Sequence, residues 1–343
     1  MDVKNINWAT PNAENSKKLI ILNIKEIIES FSYLASVCEY DEYSVSNFLK
    51  SRVDLLIDNK SPLYIAHESV IQAINNTDKK LCHQIFDELY DYFMNLTSLK
   101  NKNIICTRYG KSYPSFIEEM LYKVMLNDHY ETYKGKYAGR NSNITTPKLS
   151  TAYNTTKIID NVMNKIKDID SSHYDELITV IDRVVIIDSN GVNASSYLNM
   201  LGLFFLRTFN VEKEHWSRIL EHTVHESAHN LLYNIWYQEP VIIDDEGEFY
   251  TPFRLDYRPL SGVYHAMFVL ARTIYAFNSL IQNRLLSPEN IKSHYNEANN
   301  ETAFKEKFRQ TVEVLKKSEK LTFFGNKLLN NCVDLVNNCT EDI

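Results

Sequence analysis

The sequence predicts a mainly α protein with a small β component (α+β), not a cupin-type double-stranded β-helix. Three observations predict it. The 343 residues include only 8 glycines and 8 prolines, well below the average of about 7% and 5%, which disfavours turn-dense all-β architectures. Apolar residues recur at helical spacing through the first half. The character changes at Val180, after which short β-branched or aromatic runs appear.

Residues 16–34 carry Ile20, Ile24, Ile27, Ile28 and Phe31 on one face, with Leu19, Ile21 and Leu22 widening the arc. Pro62 is placed to open a helix that runs through Ile74. Thr77 is the expected cap of a third helix with Leu81, Ile85, Leu89 and Phe93 inward. Residues 115–126 form a fourth. Residues 129–155, with Gly135, Gly139 and Pro147, read as a loop or boundary. Residues 156–169 return to helix, burying Ile158, Ile159, Val162, Met163 and Ile166.

The run Val184-Val185-Ile186-Ile187 ends at the turn cluster Asp188-Ser189-Asn190-Gly191. With the apolar run 201–209 it reads as a strand pair or a strand plus a helix start. Val241-Ile242-Ile243, the turn 244–247 and Phe249-Tyr250 read as a hairpin. Helices are expected over 212–237 and from Pro259 to about Leu286, the second apolar nearly all round and therefore central. Amphipathic helices follow Pro288. The expected organisation is a helical region over 1–175, a metal-binding catalytic region over 176–290, and a helical tail over 291–343 packed on the same core.

The net charge is −7, from 37 basic and 44 acidic residues, which argues against a nucleic-acid partner. Lys134, Lys136, Arg140 and Lys148 form a loose basic cluster that reads as a solvated or substrate-clamping loop. The start, MDVKNINWAT, has no apolar signal core. The most apolar stretch, 262–286, contains His265, Arg272, Gln282 and Arg284, which does not suit a membrane span. The five cysteines are odd in number and form no CxxC pair. A reduced, cytoplasmic protein is the expectation.

The motif that carries chemistry is His225-Glu226-Ser227-Ala228-His229, an HExxH sequence. Residues four apart project from one helix face, so both imidazoles reach one metal ion. Around it Trp216, Ile219, Leu220, Val224, Leu231, Leu232 and Ile235 keep helical periodicity. Imidazoles in that apolar arc need partners, because an unpaired buried polar group costs about 1–3 kcal/mol. His222 lies about 10 Å along the axis from His229 and reads as a supporting or packing residue.

Alone, the motif points most often to a zinc peptidase with Glu226 as general base. The metzincin extension fails, since Leu232 and Ile235 stand where Gly and His are required. His265, near the start of the apolar core helix, is the favoured third ligand. Glu297 and Glu301 are alternatives, and Glu246 and Glu248 read as solvated turn residues. Arg254 and Arg258, just before His265, suit a carboxylate through bidentate geometry. Either can instead lie at the surface or pair with Asp256. Arg272, seven residues beyond His265, can reach a carboxylate such as Glu226.

HESAHNLLYN followed by YTPFRLDYRPLSGVYHAMFVLAR resembles the HExxH-type, 2-oxoglutarate-dependent peptide β-hydroxylases, which modify ribosomally made natural products. The family pattern is an HExxH helix, an aromatic-Ser-Pro-Trp-Arg segment, Arg-Pro, then Gly-Val-x-His. Here Tyr250-Thr251-Pro252-Phe253-Arg254 has Thr for Ser and Phe for Trp, while Arg258-Pro259 and Gly262-Val263-Tyr264-His265 match. The likeness covers 222–272, and more loosely begins near 180.

The resemblance implies iron(II), 2-oxoglutarate and O₂, with hydroxylation of a side-chain β-carbon in a ribosomally synthesised precursor peptide and release of succinate and CO₂. It implies His225, His229 and His265 as ligands and Arg258 or Arg254 at 2-oxoglutarate. Glu226, His222 and Arg272 become supporting residues. Tyr250, Asp256 and Ser195 are the substrate-side candidates. Three histidines depart from the usual two-His-one-carboxylate set, with Asp256 and Glu226 as reserve carboxylates.

Overall fold

The computed structural model describes residues 1–96, 104–110, 117–119, 121, 144–210, 212–252, 255–292, 294, 302–341 and 343. It is mainly helical with a small mixed sheet and no barrel. The chain divides into two compact units that interleave along the sequence. One comprises Met1–Asn15, Tyr153–Leu177 and Phe209–Ile343, the other Ser16–Ala152 and Ile178–Thr208. Among the described residues no helix is long and apolar enough to cross a membrane.

The second unit holds α1 (Ala13–Val37, from Ser16 on), α2 (Glu42–Lys50), α3 (Val53–Asp58), α4 (Lys60–Asn75) and α5 (Lys79–Asn95). The apolar stripe of α1 is buried as its spacing requires, from Leu19 through Phe31. Pro62 sits in the first turn of α4, where its missing N–H costs nothing. The cap before α5 is Asp78, not Thr77. The Asp78 carboxylate accepts from Leu81 N at 2.9 Å, and Thr77 takes a left-handed φ of 55° to end the preceding helix. Of the helix expected over 115–126, residues 117–119 and 121 are described, and they are helical.

The sheet of this unit has β1 (Ile105–Arg108), β2 (Ile144–Thr145), β3 (Arg183–Ser189), β4 (Ala194–Ser195) and β5 (Leu203–Arg207). Strands β1, β3 and β5 run parallel, with β4 antiparallel to β5 and β2 antiparallel to β3. Residues 183–187 of β3 are all buried, as expected for a parallel strand covered on both faces. The run at 203–207 is thus a strand, not a helix start. Gly202, with φ +97°, lets the chain pass Asp182 and Lys60, where a Cβ would lie 2.4 Å from Asp182 Oδ1.

The first unit holds α6 (Leu149–Ile169, from Tyr153 on), α7 (Ser171–Val180, to Leu177), α8 (Ser217–Gln238), β6 (Phe249–Thr251), β7 (Asp256–Arg258) and α9 (Leu260–Gln282). These are followed by α10 (Pro288–Lys292), α11 (Phe304–Ser318) and α12 (Phe323–Asn337). Helix α6 starts earlier than expected, so 149–155 is not loop. Helix α9 is buried over most of its circumference and packs on α8, α11 and α12.

The expected hairpin of 241–243 with 249–250 does not form. Ile242 instead bridges Leu321, with Ile243 N donating to Lys320 O at 2.8 Å and Thr322 N to Val241 O at 3.1 Å. Gly325 makes room for this pairing, since a Cβ there would lie 1.9 Å from Val241 O. Strand β6 pairs one step later, with β7, and Leu255 takes φ +56° in the connection.

Candidate metal centre

Helix α8 brings His225 and His229 onto one face, as the i, i+4 spacing requires. Their Nε2 atoms are 3.1 Å apart. Two imidazoles bound to one ion at ~2.1 Å place their nitrogens about 3.0–3.4 Å apart, so this pair already has the separation of shared ligands. His265 comes from the second turn of α9, and its Nδ1 lies 2.8 Å from His229 Nδ1. The three rings therefore form a row with His229 in the middle. Which ring donates in each contact is set by the tautomers, since a neutral imidazole carries one proton.

The donor types fit a metal, but the three nitrogens do not converge in this conformation. His265 lies against the edge of His229 opposite to His225. Among the described residues no set of three His, Cys, Asp or Glu side chains is arranged around one point. Two nitrogens share a point, and the third ring must turn away from His229 to join them.

The surroundings favour a neutral ring at His265. His225 and His265 are buried, and burial lowers the His265 pKa to about 3. Tyr233 and Trp236 of α8 flank His265, with ring centroids 4.5 and 5.7 Å away, the indole only 17° from coplanar. Glu226 is buried beside His225. Tyr264 anchors this end of α9 by donating to Gly325 O at 2.8 Å.

Arg258 lies on β7, and its stem covers Gly262, where a Cβ would be 3.4 Å from Arg258 Cβ. Gly262 is one turn before His265. The Nε of Arg258 donates to both Asp256 oxygens, at 3.0 and 3.1 Å. The Asp256 alternative raised for this arginine is therefore realised through Nε, which fixes the guanidinium plane. Tyr250 is exposed and packs edge-on against Tyr257 at 5.6 Å. Arg254, Glu297 and Glu301 lie outside the described residues. Ser195 is on β4 in the other unit, where its hydroxyl is buried with no hydrogen-bond partner among the described residues.

Arg272 is not at the imidazoles' service. It pairs with Glu176 of α7 in full burial and donates to Trp8 O and Ala9 O at 3.4 and 3.0 Å. The expected reach toward Glu226 is thus replaced by a structural tie. Helical spacing could give only its face, not a partner from a distant helix.

A polar network ahead of the motif carried no signal as a set. Glu221 stands one turn before His225 and accepts from His294 Nδ1 at 2.5 Å. His294 Nε2 lies 2.7 Å from Ser217 Oγ, itself 3.0 Å from His215 Nδ1. Burial pushes the Glu221 pKa up. The His294 bond and the charges of His222, His294 and Arg218 outweigh it and hold the group at about 2. His222 therefore acts on Glu221. The Ser–His–Glu atom order is that of a serine nucleophile. However, Ser217 is fully buried in the first turn of α8, so the network locks the helix that carries the imidazoles. The i, i+4 series Ser217, Glu221, His225, His229 was the one available hint.

No protein-family model matches the chain, and no curated protein matches it.

Proposed function

We propose that the chain is an iron(II)- and 2-oxoglutarate-dependent oxygenase. It hydroxylates the β-carbon of a side chain in a ribosomally made peptide and releases succinate and CO₂. The observation that carries this reading is the row of three imidazoles on two packed helices, with the stem of Arg258 against Gly262, one turn before His265.

His225 and His229 would hold the ion through Nε2, and His265 would complete the set by turning from His229. An ion held by these three side chains alone would keep room for a 2-oxoacid cosubstrate. When bound, the iron and its cosubstrate supply the oxidising power. The chain's own part is to bind, orient and exclude water. Arg258, its plane set by Asp256, would take the distal carboxylate of 2-oxoglutarate through its outer nitrogens. Tyr233 and Trp236 wall the His265 side and keep its ring neutral. Glu226, a base in peptidases, would support an imidazole here.

The test uses purified protein loaded with iron(II) without oxygen. It is then given 2-oxoglutarate, air and a small peptide encoded beside it. The expected result is an intact peptide one oxygen atom heavier, with matching succinate. A shortened peptide produced by the zinc-loaded protein without oxygen, and abolished by Glu226→Gln, would replace this reading with a metallopeptidase.

A further inference from the structure

The unit that carries the sheet has a cavity lined by none of the metal-centre residues or their supporting network. An open cavity of about 760 Å³ sits between the end of α1, α2 and α5, inside the roughly 300–1,000 Å³ range of binding clefts. Its floor is buried and apolar, from Val45 and Leu49 of α2 and Phe86 and Leu89 of α5. Phe48 and Tyr90 close one wall with ring centroids 4.1 Å apart. Both helices thus present the i, i+3, i+4 pattern to the cavity, 45/48/49 and 86/89/90. The floor residues are only 1–8% exposed, so a third helix would rest on the Phe48–Tyr90 pair over this seam.

The rim is acidic. Asp87 and Asp91 are both exposed and four residues apart on α5. That is a like-charge pair which destabilises a helix by about 0.2–0.5 kcal/mol. Tyr40 donates to Asp87 Oδ1 at 2.6 Å. Its phenol is pushed up, first by burial, then by that bond and by the charges of Asp87, Asp41 and Asp91. Three carboxylates therefore act on one point at the cavity mouth. Asp41 also caps α2 through Ser44. Of the groups nearby, Lys79 pairs with Glu39. Arg52 lies over the Phe48 ring at 4.9 Å and donates to Phe93 O at 3.2 Å and Met94 Sδ at 3.0 Å.

We propose that this groove docks a cationic amphipathic helix of a peptide partner, its leucine-type residues against Phe48 and Tyr90 and its lysines or arginines toward Asp87 and Asp91. The inference does not rest on the proposed oxygenase reaction, because binding is measured on the full metal-free chain without turnover.

The probe is a fluorescent 14-residue Lys/Leu amphipathic peptide, followed by anisotropy. Binding should weaken at least tenfold in Asp87→Asn/Asp91→Asn and at least fivefold in Tyr90→Ala. It should also weaken steeply with salt. All three positions are exposed, and circular dichroism checks that each variant keeps its fold. A glutamate-for-lysine peptide should bind at least tenfold more weakly. Equal binding of the two peptides, or of a Lys/Ser peptide without leucine, overturns the proposal. So does unchanged binding by the double variant. Displacement by millimolar tetramethylammonium also overturns it, since the groove would then take a small cation rather than a helix.

Discussion

Replacing Glu176 by Gln removes the charge opposite Arg272 and leaves the guanidinium where it is. Both side chains are 3% exposed, so water cannot replace the lost partner. Arg272 keeps its bonds to Trp8 O and Ala9 O, and Asn12 N, now bound to a Glu176 oxygen at 2.8 Å, keeps a neutral acceptor. The uncompensated buried charge dominates. Breaking such a pair from one side costs about 3–5 kcal/mol. For a unit of this size roughly 4 kcal/mol lowers Tm by about 10 °C. The pair replaced from both sides, Glu176→Leu with Arg272→Met, leaves no stranded charge but unpairs Asn12 N, Trp8 O and Ala9 O, so its loss is set by those backbone groups at about 1–3 kcal/mol each where they stay buried. Differential scanning calorimetry reads both, with iron and 2-oxoglutarate affinity measured alongside below the transition. A Glu176→Gln change under about 1 kcal/mol refutes the structural role of Arg272. A selective loss of 2-oxoglutarate affinity at unchanged Tm would return the arginine to the cosubstrate.

His265→Ala should weaken iron binding at least tenfold, read by iron titration under nitrogen, while His225→Ala and His229→Ala abolish it. Stoichiometric iron in either of the latter would remove the motif pair from the ligand set. Arg258→Ala should raise the 2-oxoglutarate concentration needed for half-maximal turnover at least tenfold with iron affinity unchanged. An unaltered requirement would move that role elsewhere. Burial holds His265 at about 3 and His67 at about 4, against 6.5 when unfolded. Below pH 6.5 the unfolded chain therefore binds protons the folded one refuses. Metal-free stability is full above pH 6.5 and falls by about 1.4 kcal/mol per pH unit for each histidine, down to about pH 4 and 3. Glu221 works lower, between 4.5 and about 2. Thermal melts from pH 8 to 5 that stay level would contradict this.

The helices were legible where one face is continuously apolar, as in α1 and α9, because that periodicity is the packing signal itself. The motif pair was legible because its geometry is local, four residues on one helix. The failures share a cause, which is that the deciding partner lies far along the chain. Val241–Ile243 reads as a hairpin arm beside a turn cluster, but its partner is Lys320–Thr322, admitted by Gly325. Arg272 reads as a carboxylate binder near a site, but its carboxylate is Glu176. Thr77 failed more narrowly, since both it and Asp78 are good caps and only backbone dihedrals choose between them. His294, which holds Glu221, sits alone in its stretch of sequence and carries no pattern.

The tie from Arg272 to Trp8 and Ala9 joins α9, the helix that carries His265, to the segment ahead of α1. A fragment starting near residue 176 would retain every proposed ligand yet strand a guanidinium without its acceptors. Trp8 and Arg272 are 264 positions apart, so this tie closes only after the whole intervening stretch has been made. Shortened versions made to isolate the chemistry should therefore aggregate, and supplying residues 1–15 as a separate peptide should rescue them in part.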